Sequence, residues 1–264
     1  DLSHHILFFP VGLFIYPSVL QHFGIFGLED QSFPLDMAEE SVDDMYHNCD
    51  TEMEKKVKEE YFKNETNNKL FRGVWNESEN CSQNNMKKRE KEDEKLTEYN
   101  MKAICVYTAG GQKNFYQIFN QAVRIMRRNY SSSFEFHSLH FWLTRAVQIL
   151  NKPECKTTYR RTEAEFTGDV NQEMRFGTFT SSSELPYLFH FGKKTCFKIR
   201  TCYGANLKAY PVLKNHEKEW LIPPYEKFKI TSKDKADELS DCDSVFTLNS
   251  TGILSNLNCS LIHS

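Results

Sequence analysis

Apolar residues recur every three or four positions through the first half of the chain and closer to every two through the second. Residues 36–62 are acidic at first and then helical in pattern, with Met53, Val57 and Tyr61 at i, i+4 and i+8. Residues 64–98 are polar. Their run Lys87-Lys88-Arg89-Glu90-Lys91-Glu92-Asp93-Glu94-Lys95 mixes both signs and reads as a solvated helix face. Two stronger helices follow. Phe115, Ile118, Phe119, Ala122, Val123 and Met126 form one apolar stripe; Leu139, Leu143, Ala146, Val147 and Leu150 form another. Asn151-Lys152-Pro153 ends the second, because proline drives the residue before it out of helical backbone.

From residue 157 the period shortens. Residues 157–160, 195–201, 226–231, 244–248 and 257–262 read as strands. Helices first and strands later predict an α+β architecture. No internal repeat and no interdomain linker interrupts the chain. The expectation is one domain, a helical N-terminal half packed on a C-terminal β half.

Composition narrows the class. The 264 residues suffice for one large domain, and 39% hydrophobic with 26% charged residues supports a packed core rather than disorder. A net charge of -3 argues against nucleic acid as the partner. Eight cysteines accompany several sequons, among them Asn64-Glu65-Thr66, Asn76-Glu77-Ser78, Asn129-Tyr130-Ser131 and Asn249-Ser250-Thr251. Together they point to an oxidising, secretory route. Residues 6–28 are apolar, but Pro10, Gly12, Pro17, Gln21, His22 and Gly24 spoil a uniform membrane helix. Residues 1–30 therefore read as a truncated signal peptide or other targeting segment, with a signal anchor as the alternative. No apolar tail follows Cys259, so the expectation is a secreted or cell-surface protein, touching membrane only through an anchor outside this sequence.

Candidate chemistry centres on Glu217-Lys218-Glu219, just before Leu221-Ile222-Pro223. In an extended segment, side chains at i and i+2 point the same way, so both glutamates would face one site and Lys218 the other side. Two carboxylates in one pocket suit a cationic, sugar-like transition state. Ahead of them come Thr157-Thr158-Tyr159-Arg160, then Arg175-Phe176-Gly177-Thr178-Phe179-Thr180-Ser181-Ser182-Ser183, then Thr201-Cys202-Tyr203-Gly204-Ala205. This order of an arginine, a serine-rich strand and an E-x-E resembles the vertebrate ecto-ADP-ribosyltransferases, the arginine-specific mono-ADP-ribosyltransferase family. The likeness runs from about residue 36 to residue 262. Its motifs are specific as a set and weak singly.

The resemblance implies an ADP-ribosylating toxin-like fold, with the helical half packed on a β-sandwich-like core, and a single catalytic domain over residues 36–262. It implies transfer of ADP-ribose from NAD to protein arginines, with release of nicotinamide. The alternatives are NAD glycohydrolase activity and a catalytically silent extracellular binding protein. NAD enters as substrate and no metal is expected; acceptors are arginine-bearing extracellular or secretory-pathway proteins. Glu219 matches the catalytic glutamate, placed to favour an oxocarbenium-like ribose carbon. Glu217 matches the position linked to arginine acceptors, where a carboxylate can hold a guanidinium and take its proton. Arg160, whose planar fork suits phosphates or ribose hydroxyls, and Ser181 complete the catalytic set. Tyr107 and Arg175 are further nucleotide-binding candidates. Arg161 stands where the family more often has glycine, and a bulky charge there would crowd a close backbone approach.

The resemblance also pairs Cys49 with Cys259 and Cys155 with Cys202. Cys81, Cys105, Cys196 and Cys242 are left with three full pairings, among which the sequence does not choose. His137 and His140 lie at i, i+3 on a helix, but no third ligand is spaced to join them in a metal site. The chain has no G-x-S-x-G, no Walker loop and no G-x-G-x-x-G, so NAD would bind without a dinucleotide crevice of the Rossmann type.

Overall fold

The computed structural model describes residues 32–109, 115–213 and 215–263. The targeting segment expected within residues 1–30 lies outside them. Helix α1 (Asp50–Lys56) runs through a π-helical turn (Val57–Tyr61) into α2 (Phe62–Glu65). Met53 and Val57 are fully buried, and Tyr61 stacks on His137 at 4.0 Å between ring centroids. Asn68 caps α3 (Lys69–Glu77), its side chain accepting hydrogen bonds from the amides of Leu70 and Phe71. Then come α4 (Glu79–Lys88), α5 (Glu98–Thr108), α6 (Phe115–Ile125) and α7 (His137–Leu150). The two apolar stripes are the buried faces of α6 and α7.

Two helical details differ from expectation. Helix α5 was not anticipated, because it is buried all round from Asn100 to Tyr107 and so carries no one-sided stripe. The charged run at residues 87–95 is not one solvated helix: α4 stops at Lys88, and Lys91–Asp93 form a 3-10 turn. Glu90, Glu92 and Asp93 converge instead on Lys208 Nζ, at 2.7, 2.5 and 2.7 Å.

The strands are β1 (Ser32–Pro34), β2 (Lys156–Thr162), β3 (Glu165–Thr167), β4 (Glu173–Met174), β5 (Thr180–Ser183), β6 (Thr195–Thr201), β7 (Ala205–Asn206), β8 (Glu219–Ile222), β9 (Glu226–Ser232) and β10 (Ser244–Ile253). β1 and β3 pair in parallel by themselves. The other eight form one mixed sheet in the order β4-β9-β10-β6-β2-β5-β8-β7. Strands β2 and β5 meet at the pair Tyr159–Ser183, so a five-stranded half (β4-β9-β10-β6-β2) and a three-stranded half (β5-β8-β7) join at a narrow waist. Ile222 of the second half packs in one cluster with Phe197, Ile199, Phe228, Ile230, Phe246 and Leu248 of the first. The halves share an apolar interior in the manner of a sandwich. Residues 257–262, expected as a strand, instead turn at Cys259 into the short helix α8 (Ser260–His263). There Leu261 is buried in the helical core, with Leu257 and Ile262 packed beside it.

All eight cysteines are paired. Cys49–Cys259 ties α1 to the last turn across 210 residues, and Cys155–Cys202 ties the entry of β2 to the end of β6. The remaining four form Cys81–Cys105 and Cys196–Cys242.

Candidate active site

The waist of the sheet gathers the E-x-E segment, the serine strand and Arg160. β5 and β8 run antiparallel, with Ser181 opposite Leu221, Ser182 opposite Trp220 and Ser183 opposite Glu219. Ser181 and Ser183, two apart on a strand, point the same way. Ser181 Oγ donates to Glu219 Oε1 at 2.7 Å, and Arg160 Nη1 donates to the Ser181 carbonyl at 2.8 Å. Ser183 Oγ donates to the Glu217 carbonyl and accepts from the Leu185 amide at 2.8 Å. The first and last serines of the triplet thus hold the two ends of Glu217–Glu219. The sequence offered the signal for Ser183, an alternating serine pair, but only Ser181 had been assigned a role.

The two glutamates do not come together by simple strand alternation. β8 begins at Glu219, and Lys218 sits in the left-handed region at φ 44°. Holding a non-glycine residue there costs on the order of 1 kcal/mol. Glu217 therefore reaches the site from a turn, with Ser183 on its carbonyl and the Glu184 amide donating to the Lys218 carbonyl at 3.3 Å. Glu217 Oε1 lies 3.6 Å from His190 Nε2, on the loop between β5 and β6.

Glu219 is half-buried, and desolvation pushes its carboxyl up to about 7. The hydrogen bond from Ser181 opposes that shift, the charge of Glu217 adds to it, and the Arg160 cation again opposes it. The carboxyl is thus poised between its two forms near neutral pH. A cation placed beside it would draw out the ionised form.

Two expected nucleotide contacts have other work. Arg175 is fully buried: Nη1 binds Asp43 Oδ2 at 2.6 Å and the Leu254 carbonyl at 2.7 Å. Its Nε and Nη2 bind the carbonyls of Met37 and Ala38. Its fork is spent on tying residues 37–43 to the end of β10. Tyr107 is also buried; its hydroxyl donates to the Phe179 carbonyl at 2.8 Å and accepts from Asn120 Nδ2 at 3.3 Å. Burial pushes that hydroxyl well above the usual tyrosine range. It braces β5, and the Ser181 side chain is among the groups that act on its hydroxyl.

Arg161 alternates to the opposite face of β2 from Arg160. It grips Asp241 with two bonds of 2.7 and 2.9 Å, donates to the Pro186 carbonyl at 2.6 Å and lies 4.7 Å over the Phe189 ring. Its bulk is absorbed there and does not crowd the Arg160 side. His137 and His140 are core residues. His140 contacts the Tyr46 hydroxyl at 2.7 Å and the Val42 carbonyl at 2.9 Å, and burial pushes it down to about 3. His137 contacts the Tyr130 carbonyl and Glu65.

The sequence model of a family described as NAD:arginine ADP-ribosyltransferase matches residues 35–251. T-cell ecto-ADP-ribosyltransferase 2 of Mus musculus is 33% identical over 207 residues, covering 76% of this chain and 69% of that protein. The erythroblast NAD(P)(+)–arginine ADP-ribosyltransferase of Gallus gallus is 32% identical over 236 residues, covering 86% and 76%. Among solved structures, the eukaryotic mono-ADP-ribosyltransferase ART2.2 superposes with a TM-score of 0.72 at 28% identity, covering 86% of this chain and 98% of that one. A mutant of ART2.2 in complex with NAD gives a TM-score of 0.71. The fold alone extends further, to the bacterial type III effector XopAI at a TM-score of 0.52 and 12% identity. Match and geometry agree over most of the described residues: this chain belongs to the NAD:arginine ADP-ribosyltransferase family.

Proposed function

We propose that this protein transfers ADP-ribose from NAD to arginine side chains of proteins in the secretory pathway or outside the cell, releasing nicotinamide. The observation that carries the proposal is the linked set Arg160–Ser181–Glu219 with Glu217 beside it. As the bond between nicotinamide and ribose breaks, the pyridinium leaves neutral and positive charge moves onto the ribose carbon. Ionised Glu219 stabilises that carbon, and Ser181 keeps the carboxylate aimed. The cationic nicotinamide itself favours the ionised form, so substrate helps to charge the group that acts on it. Arg160, braced against the Ser181 carbonyl, presents a planar fork suited to phosphate or ribose oxygens.

Glu217 is assigned to the acceptor. A guanidinium is protonated near neutral pH and attacks only as it sheds a proton; a carboxylate can hold it and take that proton. With water in place of the guanidinium, the same Glu219 chemistry gives NAD hydrolysis, so some free ADP-ribose is expected as a side product. A silent binding protein would have no need of this linked set. The extracellular setting is supported by four disulfides and by exposure of the sequon residues Asn64, Asn76, Asn129 and Asn249. The test is nicotinamide release from NAD with and without agmatine, a small guanidinium acceptor. The proposal expects faster release with agmatine and formation of ADP-ribosyl-agmatine. Free ADP-ribose alone, at a rate indifferent to agmatine, would overturn the arginine part of the assignment.

A further inference from the structure

The loop between β5 and β6 is fastened at both ends, and its His190 faces Glu217. Near its start, Arg161 binds the Pro186 carbonyl and covers the Phe189 ring. Near its end, Gly192 has φ 118°, and a Cβ there would meet the Glu163 amide nitrogen at 2.6 Å, so the backbone lies hard against the turn between β2 and β3. The His190 ring packs on Phe191 at 4.1 Å between centroids. Its Nε2 stands 3.6 Å from Glu217 Oε1, with side-chain exposures of 47% for the histidine and 23% for the glutamate. The ring thus stands beside Glu217 and is itself partly open to solvent.

The transfer reaction releases one proton. NAD carries a pyridinium and the acceptor a guanidinium. A guanidinium nitrogen bonds to the ribose carbon while the carbon–nitrogen bond to nicotinamide breaks, its electron pair neutralising the pyridinium. The product guanidinium keeps its charge, so one guanidinium proton must leave. We propose that His190 receives this proton through Glu217 and passes it to solvent, making it a positioning and proton-accepting residue for arginine transfer. This rests on the arginine assignment of Glu217 made above.

The relay runs from the Glu217 carboxyl to the more exposed His190 ring and from there to solvent. The contact is longer than a hydrogen bond of about 2.9 Å, and the proton passes when the exposed ring closes on the carboxylate. Charged groups around the loop include Glu217 before β8, Arg161 of β2 with its partner Asp241, Glu163 of the β2–β3 turn, which accepts from the Lys193 amide at 3.2 Å, and the loop's own Glu184, Lys193 and Lys194. Hydrolysis also sheds one proton, from the attacking water, but water attacks through a lone pair it already has and gives that proton directly to bulk solvent. His190 therefore bears on transfer, where the guanidinium must lose its proton as it attacks.

The test measures ADP-ribosyl-agmatine over free ADP-ribose from about pH 6 to about pH 8, in wild type, His190→Ala, His190→Gln and Glu217→Gln. In both His190 variants the ratio should fall on the order of tenfold at neutral pH, less than the hundredfold or more typical of a general base because solvent reaches the site. Free ADP-ribose should form at the wild-type rate, and added imidazole should restore transfer in His190→Ala. His190→Gln keeps a hydrogen-bonding side chain yet takes no proton, so wild-type transfer in that variant would reduce the ring to a prop and overturn the proposal. An unchanged ratio in His190→Ala, or a loss equal at every pH and indifferent to imidazole, would overturn it as well. If wild type itself forms no ADP-ribosyl-agmatine, the arginine assignment fails first. If wild type forms it and Glu217→Gln alone loses it, only the role of His190 fails.

Discussion

Replacing Glu219 by glutamine should stabilise the protein while silencing it. Burial raises the carboxyl from an ordinary 4.5 to about 7. The native state therefore holds a proton that the unfolded chain releases between those values. Stability contributed by this site is present below about pH 4.5, falls as pH rises through the window and is lost above about pH 7. The span of about 2.5 units corresponds to about 3 kcal/mol as an upper bound. Contact with solvent at the half-buried side chain lowers that to roughly 1–3 kcal/mol. Glutamine keeps the shape and an acceptor for Ser181, and it never ionises.

Thermal melting of wild type and Glu219→Gln with disulfides intact, near pH 5 and pH 8, reads the effect. Little gain is expected at the lower pH and a gain of several degrees at the higher, since roughly 1 kcal/mol moves the midpoint of a domain this size by about 2–4 °C. In the same samples, nicotinamide release should fall by a hundredfold or more, the usual order when a preorganised charge is removed. A Glu219→Gln protein no more stable than wild type at pH 8, or stabilised equally at both pH values, would refute the argument that this carboxyl is held against its solvation.

Three other outcomes are expected. The kcat/KM for NAD should rise with pH through about 7 as Glu219 ionises in the free enzyme, and kcat should rise at lower pH because bound NAD adds a cation; coincident profiles would contradict the coupling. Arg175→Ala should cost about 3–5 kcal/mol by stranding buried Asp43, with KM for NAD little changed in the protein that stays folded; a selective rise in KM on a stable fold would return Arg175 to the nucleotide site. Replacing Cys49 and Cys259 together by serine should destabilise the protein by about 2–5 kcal/mol, since their bond closes a loop of 210 residues; an unchanged denaturation midpoint would show that the tie contributes nothing.

Much of the candidate site was legible in the sequence, because its residues fall in short runs. Arg160, Ser181, Glu217 and Glu219 stand close together in the fold, and the serine strand and E-x-E are adjacent in the sheet. What periodicity did not carry was backbone that breaks a pattern. Lys218 leaves the extended region, so the glutamates meet through a turn rather than through alternation. Leu257, Leu261 and Ile262 look strand-like in sequence, yet they pack from a turn and a helical end set by Cys259. Helix α5 escaped notice because burial on all sides erases the polar face that marks a helix. Arg175 and Tyr107 show a different limit. An arginine or tyrosine suits a nucleotide and a buried scaffold equally well, and only its partners decide; Asp43, far away in sequence, claims Arg175. His190 carries no motif, and its nearness to Glu217 exists only once the loop folds back.

The account stands on a division of labour between two carboxylates, Glu219 on the sugar carbon and Glu217 on the incoming guanidinium. The direct measurement is the ratio of ADP-ribosyl-agmatine to free ADP-ribose in wild type, Glu217→Gln and Glu219→Gln, with total nicotinamide release recorded beside it. Glu219→Gln should stop both products. Glu217→Gln should suppress the agmatine product and spare much of the hydrolysis, because its amide neither neutralises the guanidinium nor takes its proton. An unchanged ratio in Glu217→Gln, or undiminished nicotinamide release in a folded Glu219→Gln protein, would contradict that division.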